Sequence, residues 1–129
     1  MANQAGWNIK LFYKDTDSGF QGFEEKETYL VFVKDKRTFY LKQFNDIFAT
    51  IERRIFQLFE NYNNIVICVE DLMSKQTIFK SSIECKKGHN YSIRAEDKKE
   101  MNCTSDELKN AIFEMLEVIK KRVRKYYQM

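Results

Sequence analysis

The chain has 129 residues, of which 43% are hydrophobic and 32% charged, and its formal net charge at pH 7 is +3. A chain of this length buries roughly two thirds of its unfolded surface around one core, so we expect a single domain over residues 1–129. An apolar fraction this high is not typical of disordered chains, so we expect the chain to fold. A net charge of +3 is too small to indicate polyanion binding unless the basic residues are concentrated on one face.

Segment composition indicates an intracellular protein, either cytoplasmic or nuclear. The longest apolar run, TYLVFV at 28–33, is far shorter than the roughly 20 residues that cross a bilayer, and the first ten residues lack a basic-then-apolar signal pattern. The three cysteines, Cys68, Cys85 and Cys103, are odd in number and widely spaced. This spacing argues against a disulfide framework and suits a reducing compartment. Because no segment is long and apolar enough to cross a bilayer, we expect no contact with a membrane.

The first 44 residues have the patterns of strands. Residues 7–14, WNIKLFYK, alternate between apolar and polar side chains, which predicts a half-buried strand. The apolar face of this strand contains Trp7, Ile9, Leu11 and Tyr13. Residues 26–44 contain two apolar runs separated by a polar break, with Phe39 and Leu41 in the second run. This pattern predicts a hairpin whose first strand is central in the sheet.

The rest of the chain alternates between helical and strand patterns. Residues 45–64 have helical spacing of apolar side chains, and 64–70, 76–83 and 90–95 have strand patterns. Residues 96–103 are predicted to be a polar connection. Residues 104–127 are predicted to be a long helix with a capping box formed by Thr104 and Glu107.

The predicted element order is βββα-βββα. Short connections between consecutive strands favour antiparallel pairing, and each helix has one apolar stripe that must be covered. The sequence therefore predicts the α+β class, with a single antiparallel sheet of about six strands packed by two amphipathic helices.

Catalytic and metal chemistry have few candidate residues in this sequence. His89 is the only histidine, and Cys103 is a candidate nucleophile because it precedes Thr104, the predicted cap of the last helix. Cys68, Cys85, His89 and Cys103 lack the close ligand pairs of structural zinc sites. The glycines form neither a Walker loop nor a dinucleotide fingerprint. We therefore expect a non-catalytic protein without a cofactor or metal site, and the sequence identifies no small-molecule substrate. A cysteine-dependent enzyme ranks third, after the two binding hypotheses given below.

Aromatic residues make up 15% of the chain, and most of them lie in its first half. Some fall off the predicted apolar stripes, and Phe, Tyr and Trp are enriched at protein interfaces. The interface candidates are Phe56, Phe113, Trp7, Phe20 and Phe23. The first hypothesis is therefore a non-catalytic binding module, a small adaptor or regulatory subunit that engages a protein partner or a second copy of itself.

The end of the chain, VIKKRVRKYYQM at 118–129, is the most basic segment. Its cations spread over most of the helix circumference and complement the helix dipole. These cations are Lys120, Lys121, Arg122, Arg124 and Lys125. The alternative hypothesis is an RNA- or DNA-binding module that uses them. If the last turns of the helix project from the domain, the same cations also suit an acidic partner.

Overall fold

A computed structural model describes residues 6–15, 25–32, 44–86, 90–95 and 100–127 of the chain. Within these ranges the strands are β1 (Gly6–Lys14), β2 (Glu25–Phe32), β3 (Asn64–Asp71), β4 (Thr77–Lys86), β5 (Asn90–Ala95) and β6 (Met101–Thr104). The helices are α1 (Phe44–Leu58) and α2 (Ser105–Tyr127). The predicted α+β class with a single antiparallel sheet is confirmed. None of the helices in the described ranges is long and apolar enough to cross a membrane.

The six strands form one sheet in the order β2-β1-β3-β4-β5-β6, and every neighbouring pair is antiparallel. β1 lies between β2 and β3, whereas β2 stands at the end of the described order. We expected β2 to be central, because its apolar run resembles that of a strand buried on both faces. Among the described residues of β2, Leu30, in the middle of that run, is largely exposed.

Two predicted boundaries were wrong. Residues 101–104 form the strand β6 and are not part of a polar connection, because they pair with β5 in a register that sets Cys103 opposite Tyr91. The first helix ends at Leu58 and does not continue to residue 64. The chain leaves it through a turn in which the Tyr62 amide donates to the Leu58 carbonyl. The predicted strand around Phe39 and Leu41 lies outside the described residues.

Both helices pack on one face of the sheet. The ring of Phe48 in α1 stacks on Trp7 with ring centres 5.9 Å apart, and Ser81 Oγ in β4 lies 3.0 Å from Met115 Sδ in α2. The strand register places Trp7 and Ser81 on the same face. The alternating residues of β1 that were predicted to share a face are all buried in this core. Each large apolar side chain buried there contributes about 1.5–3 kcal/mol relative to exposure.

The start of α2 has the predicted capping residues. The Thr104 amide and hydroxyl both donate to Glu107 Oε1, at 3.1 and 3.0 Å. The backbone hydrogen bond from Thr104 lowers the pKa of the Glu107 carboxyl below its ordinary value. The carboxylate therefore satisfies an amide that the helix cannot pair internally, which defines the first turn of α2.

Candidate functional site

The basic segment of α2 is divided between contacts within the domain and solvent. Lys120 Nζ lies 3.0 Å from Glu117 Oε1 and 5.5 Å from the centre of the Phe48 ring, and its side chain is only 14% exposed. The guanidinium of Arg122 lies 5.7 Å from the centre of the Phe79 ring. Cations over aromatic faces are attracted by the ring quadrupole. Lys120 and Arg122 therefore contribute to packing between α2 and its neighbours.

The other cations of this segment differ in exposure. Arg124 is half-buried, whereas Lys121 and Lys125 are exposed. Because these two lysines are four residues apart, they lie one above the other on the same side of the helix. The predicted cluster of five cations thus reduces to one exposed pair, with the remaining three partly covered by the domain.

The last turn of α2 is docked on the sheet and does not project from the domain. The Tyr127 hydroxyl oxygen lies 2.6 Å from Asp71 Oδ1 at the end of β3 and 2.7 Å from the Gly6 carbonyl oxygen at the start of β1. The Tyr126 hydroxyl donates to Gln76 Oε1 at 3.2 Å, beside the turn between β3 and β4. The basic end of the helix therefore lies against the sheet, and the condition that it projects from the domain is not met.

Asp71 joins this helix end to the β3–β4 turn. The Ser74 amide and hydroxyl each donate to Asp71 Oδ2 at 2.9 Å, while Tyr127 lies against Oδ1. Burial acts to raise the pKa of Asp71, but the hydrogen bonds from Tyr127 and Ser74 outweigh it and hold the pKa below its ordinary value. Burial, reinforced by the Asp71 carboxylate, raises the pKa of Tyr127. This cluster consists of satisfied groups and has the character of a structural anchor.

The predicted aromatic interface residues that the structure describes differ in exposure. Trp7 is fully buried beneath Phe48, so it belongs to the core and presents no surface to a partner. Phe56 is partly buried against the core. Phe113 is 53% exposed on α2. Phe20 and Phe23 lie outside the described residues. Of the described candidates, Phe113 is therefore the one that presents most of its ring to solvent.

Phe113 borders a surface groove between the two helices, which we call the helical groove. It encloses about 240 Å³. The described residues that line it are Asn45, Phe48, Ala49, Glu52 and Arg53 of α1 and Phe113, Leu116, Glu117 and Lys120 of α2. The groove therefore exists because α1 and α2 pack side by side on the same face of the sheet.

The helical groove has an apolar floor and a rim with charges of both signs. Phe48 and Leu116 are buried at its base, and the exposed Phe113 ring stands at its edge. Arg53 is exposed, and Glu52 is half-buried beside it. This combination of an exposed aromatic ring, an apolar floor and a mixed-charge rim is typical of a protein-binding surface.

Cys103 and Cys68 do not have the environment of reactive thiols. Cys103 is buried, and that burial, reinforced by the nearby Glu107 carboxylate, raises the pKa of its thiol. Burial also raises the pKa of the Cys68 thiol. His89 lies outside the described residues. Among the residues that the structure describes, no three His, Cys, Asp or Glu side chains are grouped closely enough to hold a metal ion.

Sequence reasoning missed the neighbours that define these surfaces. The helical period places Arg53 and Glu52 on the polar face of α1, but no pattern in the local sequence indicates that this face lies next to Phe113. The contact of Asp71 with Tyr127 joins residues 56 positions apart. The local sequence did contain one signal for the Ser74 bond, because Asp71 is followed three residues later by a serine between two predicted strands.

No protein-family model matches this chain, and comparisons with curated proteins and with solved structures also found no match.

Proposed function

We propose that this chain is a non-catalytic binding module, an adaptor or regulatory subunit that engages a protein partner through the helical groove, in a reducing intracellular compartment. The observation that supports it is the Phe113 ring, 53% exposed at the edge of an apolar groove. Exposed aromatic rings beside buried apolar pockets are the usual anchors of protein interfaces. All three cysteines are free thiols, which supports the inference of a reducing compartment.

The shape and charge of the groove favour an amphipathic helix as the segment that the partner inserts. Two side-by-side helices leave a channel into which the apolar face of a third helix fits, with anchors at i, i+3, i+4 and i+7. The charged side chains around the groove include both signs, with Glu52 and Arg53 from α1 and Glu117 and Lys120 from α2. The partner helix should therefore have an apolar stripe flanked by both acidic and basic residues.

A matched pair of substitutions tests this proposal. Phe113→Asp places a charge at the edge of the groove, whereas Met73→Asp changes a side chain that is similarly exposed, at 55%, in the turn between β3 and β4. Neither side chain is buried, so each variant should stay within about 0.5 kcal/mol of the parent in unfolding free energy. Tagged parent and variants are recovered from cells after nuclease treatment, and bound proteins are cross-linked and mapped.

The expected result is a protein cross-linked through α1 and α2, retained by Met73→Asp and lost from Phe113→Asp. Equal recovery by both variants, or cross-links confined to other surfaces, would contradict the proposal. Sedimentation of the isolated protein distinguishes a second copy from a different partner. A Phe113-dependent dimer would show that the occupant is the chain itself.

The alternative function, RNA or DNA binding by the basic end of α2, is supported by the exposed pair Lys121 and Lys125. Two exposed cations neutralise few phosphates, so binding should be weak and its salt dependence shallow. Titration with an oligonucleotide at several salt concentrations tests this alternative. Replacing both lysines by alanine should reduce the slope of log affinity against log salt by about two. An unchanged slope, or no binding at low salt, would remove the alternative.

A further inference from the structure

A second apolar depression lies on the other side of α2, between that helix and the sheet, and we call it the sheet slot. It encloses about 160 Å³. Its apolar lining consists of Phe79, Ile93, Ala95, Met101, Met115 and Val118, and Glu114 completes the described residues around it. Phe79, Ile93 and Met115 are buried, whereas Met101 of β6 is 40% exposed. The slot therefore opens to the surface beside Met101.

The volume of the sheet slot matches one side chain. An apolar cavity of about 150 Å³ accommodates a molecule the size of benzene, so this slot suits a single leucine, methionine or phenylalanine side chain. Two methionines, Met101 and Met115, contribute to the lining. Their flexible thioether chains adapt to ligands of different shape, as methionines do on binding surfaces that accept several apolar anchors.

The charge at the slot indicates what accompanies that side chain. Glu114 is exposed on α2 and is the acidic residue among the lining groups. A carboxylate next to an apolar pocket favours a ligand with a cation beside its apolar group. We propose that the sheet slot receives one apolar side chain of a protein partner, with a lysine or arginine next to it in the partner's sequence.

This inference is separate from the proposed function of the helical groove. Phe113 lines the groove and Glu114 lines the slot, and consecutive helical residues point about 100° apart. The two surfaces therefore flank α2 on different sides. Binding at the slot can be present or absent whatever occupies the groove, so each proposal has its own test.

The methionines provide a direct assay. The full chain is labelled with ¹³C at the methionine methyl groups and titrated with acetyl-leucyl-arginine amide, acetyl-leucyl-glutamate amide, acetyl-alanyl-arginine amide and benzene. The leucyl-arginine probe should shift the Met101 and Met115 resonances saturably and leave Met73 unchanged, because Met73 lies in the β3–β4 turn. The leucyl-glutamate probe should bind about two- to fivefold more weakly, as for one exposed ion pair, and the alanyl probe should not saturate.

Three variants locate the binding. Ala95→Leu fills the slot and should abolish the saturable shifts, whereas Ala49→Leu makes the same change in the helical groove and should leave them intact. Glu114→Gln should bind the leucyl-arginine and leucyl-glutamate probes equally. The inference is overturned if Met101 and Met115 do not respond, if Ala95→Leu retains the response, or if Glu114→Gln retains the charge preference. Saturation by benzene without any response to the leucyl probes would show a site for free small molecules and would also overturn it.

Discussion

The hydroxyl oxygen of Tyr127 lies 2.6 Å from Oδ1 of Asp71, which attaches the last turn of α2 to the end of β3. The same hydroxyl oxygen lies 2.7 Å from the carbonyl oxygen of Gly6, so its single proton is shared between two acceptors. This contact turns the basic end of the helix back onto the sheet. It also closes the domain, since it joins the start of β1 to the last described residue of the chain.

We expect Tyr127→Phe to lower the free energy of unfolding by about 1.5–3 kcal/mol, because a hydrogen bond to a charged, buried carboxylate is lost. Tyr126→Phe is the matched control. Its hydroxyl contacts Gln76 at 3.2 Å on an exposed surface, so its loss should cost about 0.5 kcal/mol or less. Urea unfolding measures both. A double-mutant cycle with Asp71→Asn should give a coupling energy of at least about 0.5 kcal/mol, and additive effects would show that the pair does not interact.

The contribution of Asp71 to stability should depend on pH in the acidic range. Hydrogen bonds from Tyr127 and Ser74 hold the pKa of Asp71 below its ordinary value despite burial, so the folded state binds the proton less tightly than the unfolded chain. This stabilisation is fully present above the ordinary carboxyl pKa of about 3.9 and is lost as the pH falls through the folded-state pKa.

The parent should therefore exceed Asp71→Asn in unfolding free energy by a constant amount near neutral pH, and this difference should shrink below about pH 4. Urea titrations across that range measure the difference. A difference that stays constant as the carboxyl is protonated would contradict the assigned hydrogen bonds.

Lys75 is a strained position in the turn between β3 and β4. Its φ angle is 64°, in the left-handed region, where a side chain costs roughly 1 kcal/mol compared with glycine. Lys75 is exposed, so Lys75→Gly should raise the free energy of unfolding by about 0.5–1 kcal/mol. Lys109→Gly, the same change at an exposed site within α2, should lower it by about 1 kcal/mol. Destabilisation by both substitutions would show that the turn does not require this conformation.

Two neighbouring lysines of α2 should differ in their effect on stability. Lys120→Ala removes the ion pair with Glu117 and the contact with the Phe48 ring, and we expect a loss of about 0.5–1.5 kcal/mol. Lys121→Ala removes an exposed cation and should change stability by less than about 0.5 kcal/mol. Thermal or urea unfolding compares them. Equal effects would mean that both side chains are solvated.

The thiol of Cys103 should be protected in the folded protein. Burial, with the Glu107 carboxylate nearby, raises its pKa and disfavours the thiolate that reacts with iodoacetamide. At neutral pH we expect alkylation at Cys103 to be at least about tenfold slower in the folded protein than in urea. The half-buried Cys85 serves as the internal comparison, because alkylation there should be slowed less. Mass spectrometry of the peptides gives both rates, and rapid labelling of folded Cys103 would contradict its protection.

The elements with strong local patterns were predictable. The alternation of residues 7–14 places Trp7 on the same face as Ile9, and the structure buries both. The same alternation argues against Trp7 as an interface residue, because a ring on the apolar face of a strand must be covered. β6 was not predictable, since four residues between polar segments have too little pattern to indicate a strand. Its pairing with β5 supplies what the local sequence lacks.

The sequence alone determined the period of each helix and long strand, and the cap that Thr104 and Glu107 form, because these depend on residues a few positions apart. The tertiary structure decided the order of the strands, the groove beside Phe113, and which cations of α2 remain in solvent. Lys120 is held by the Phe48 ring of another helix, and the helix end is held by Asp71 of a distant strand. Such contacts join residues far apart in the chain, and composition or periodicity does not specify them.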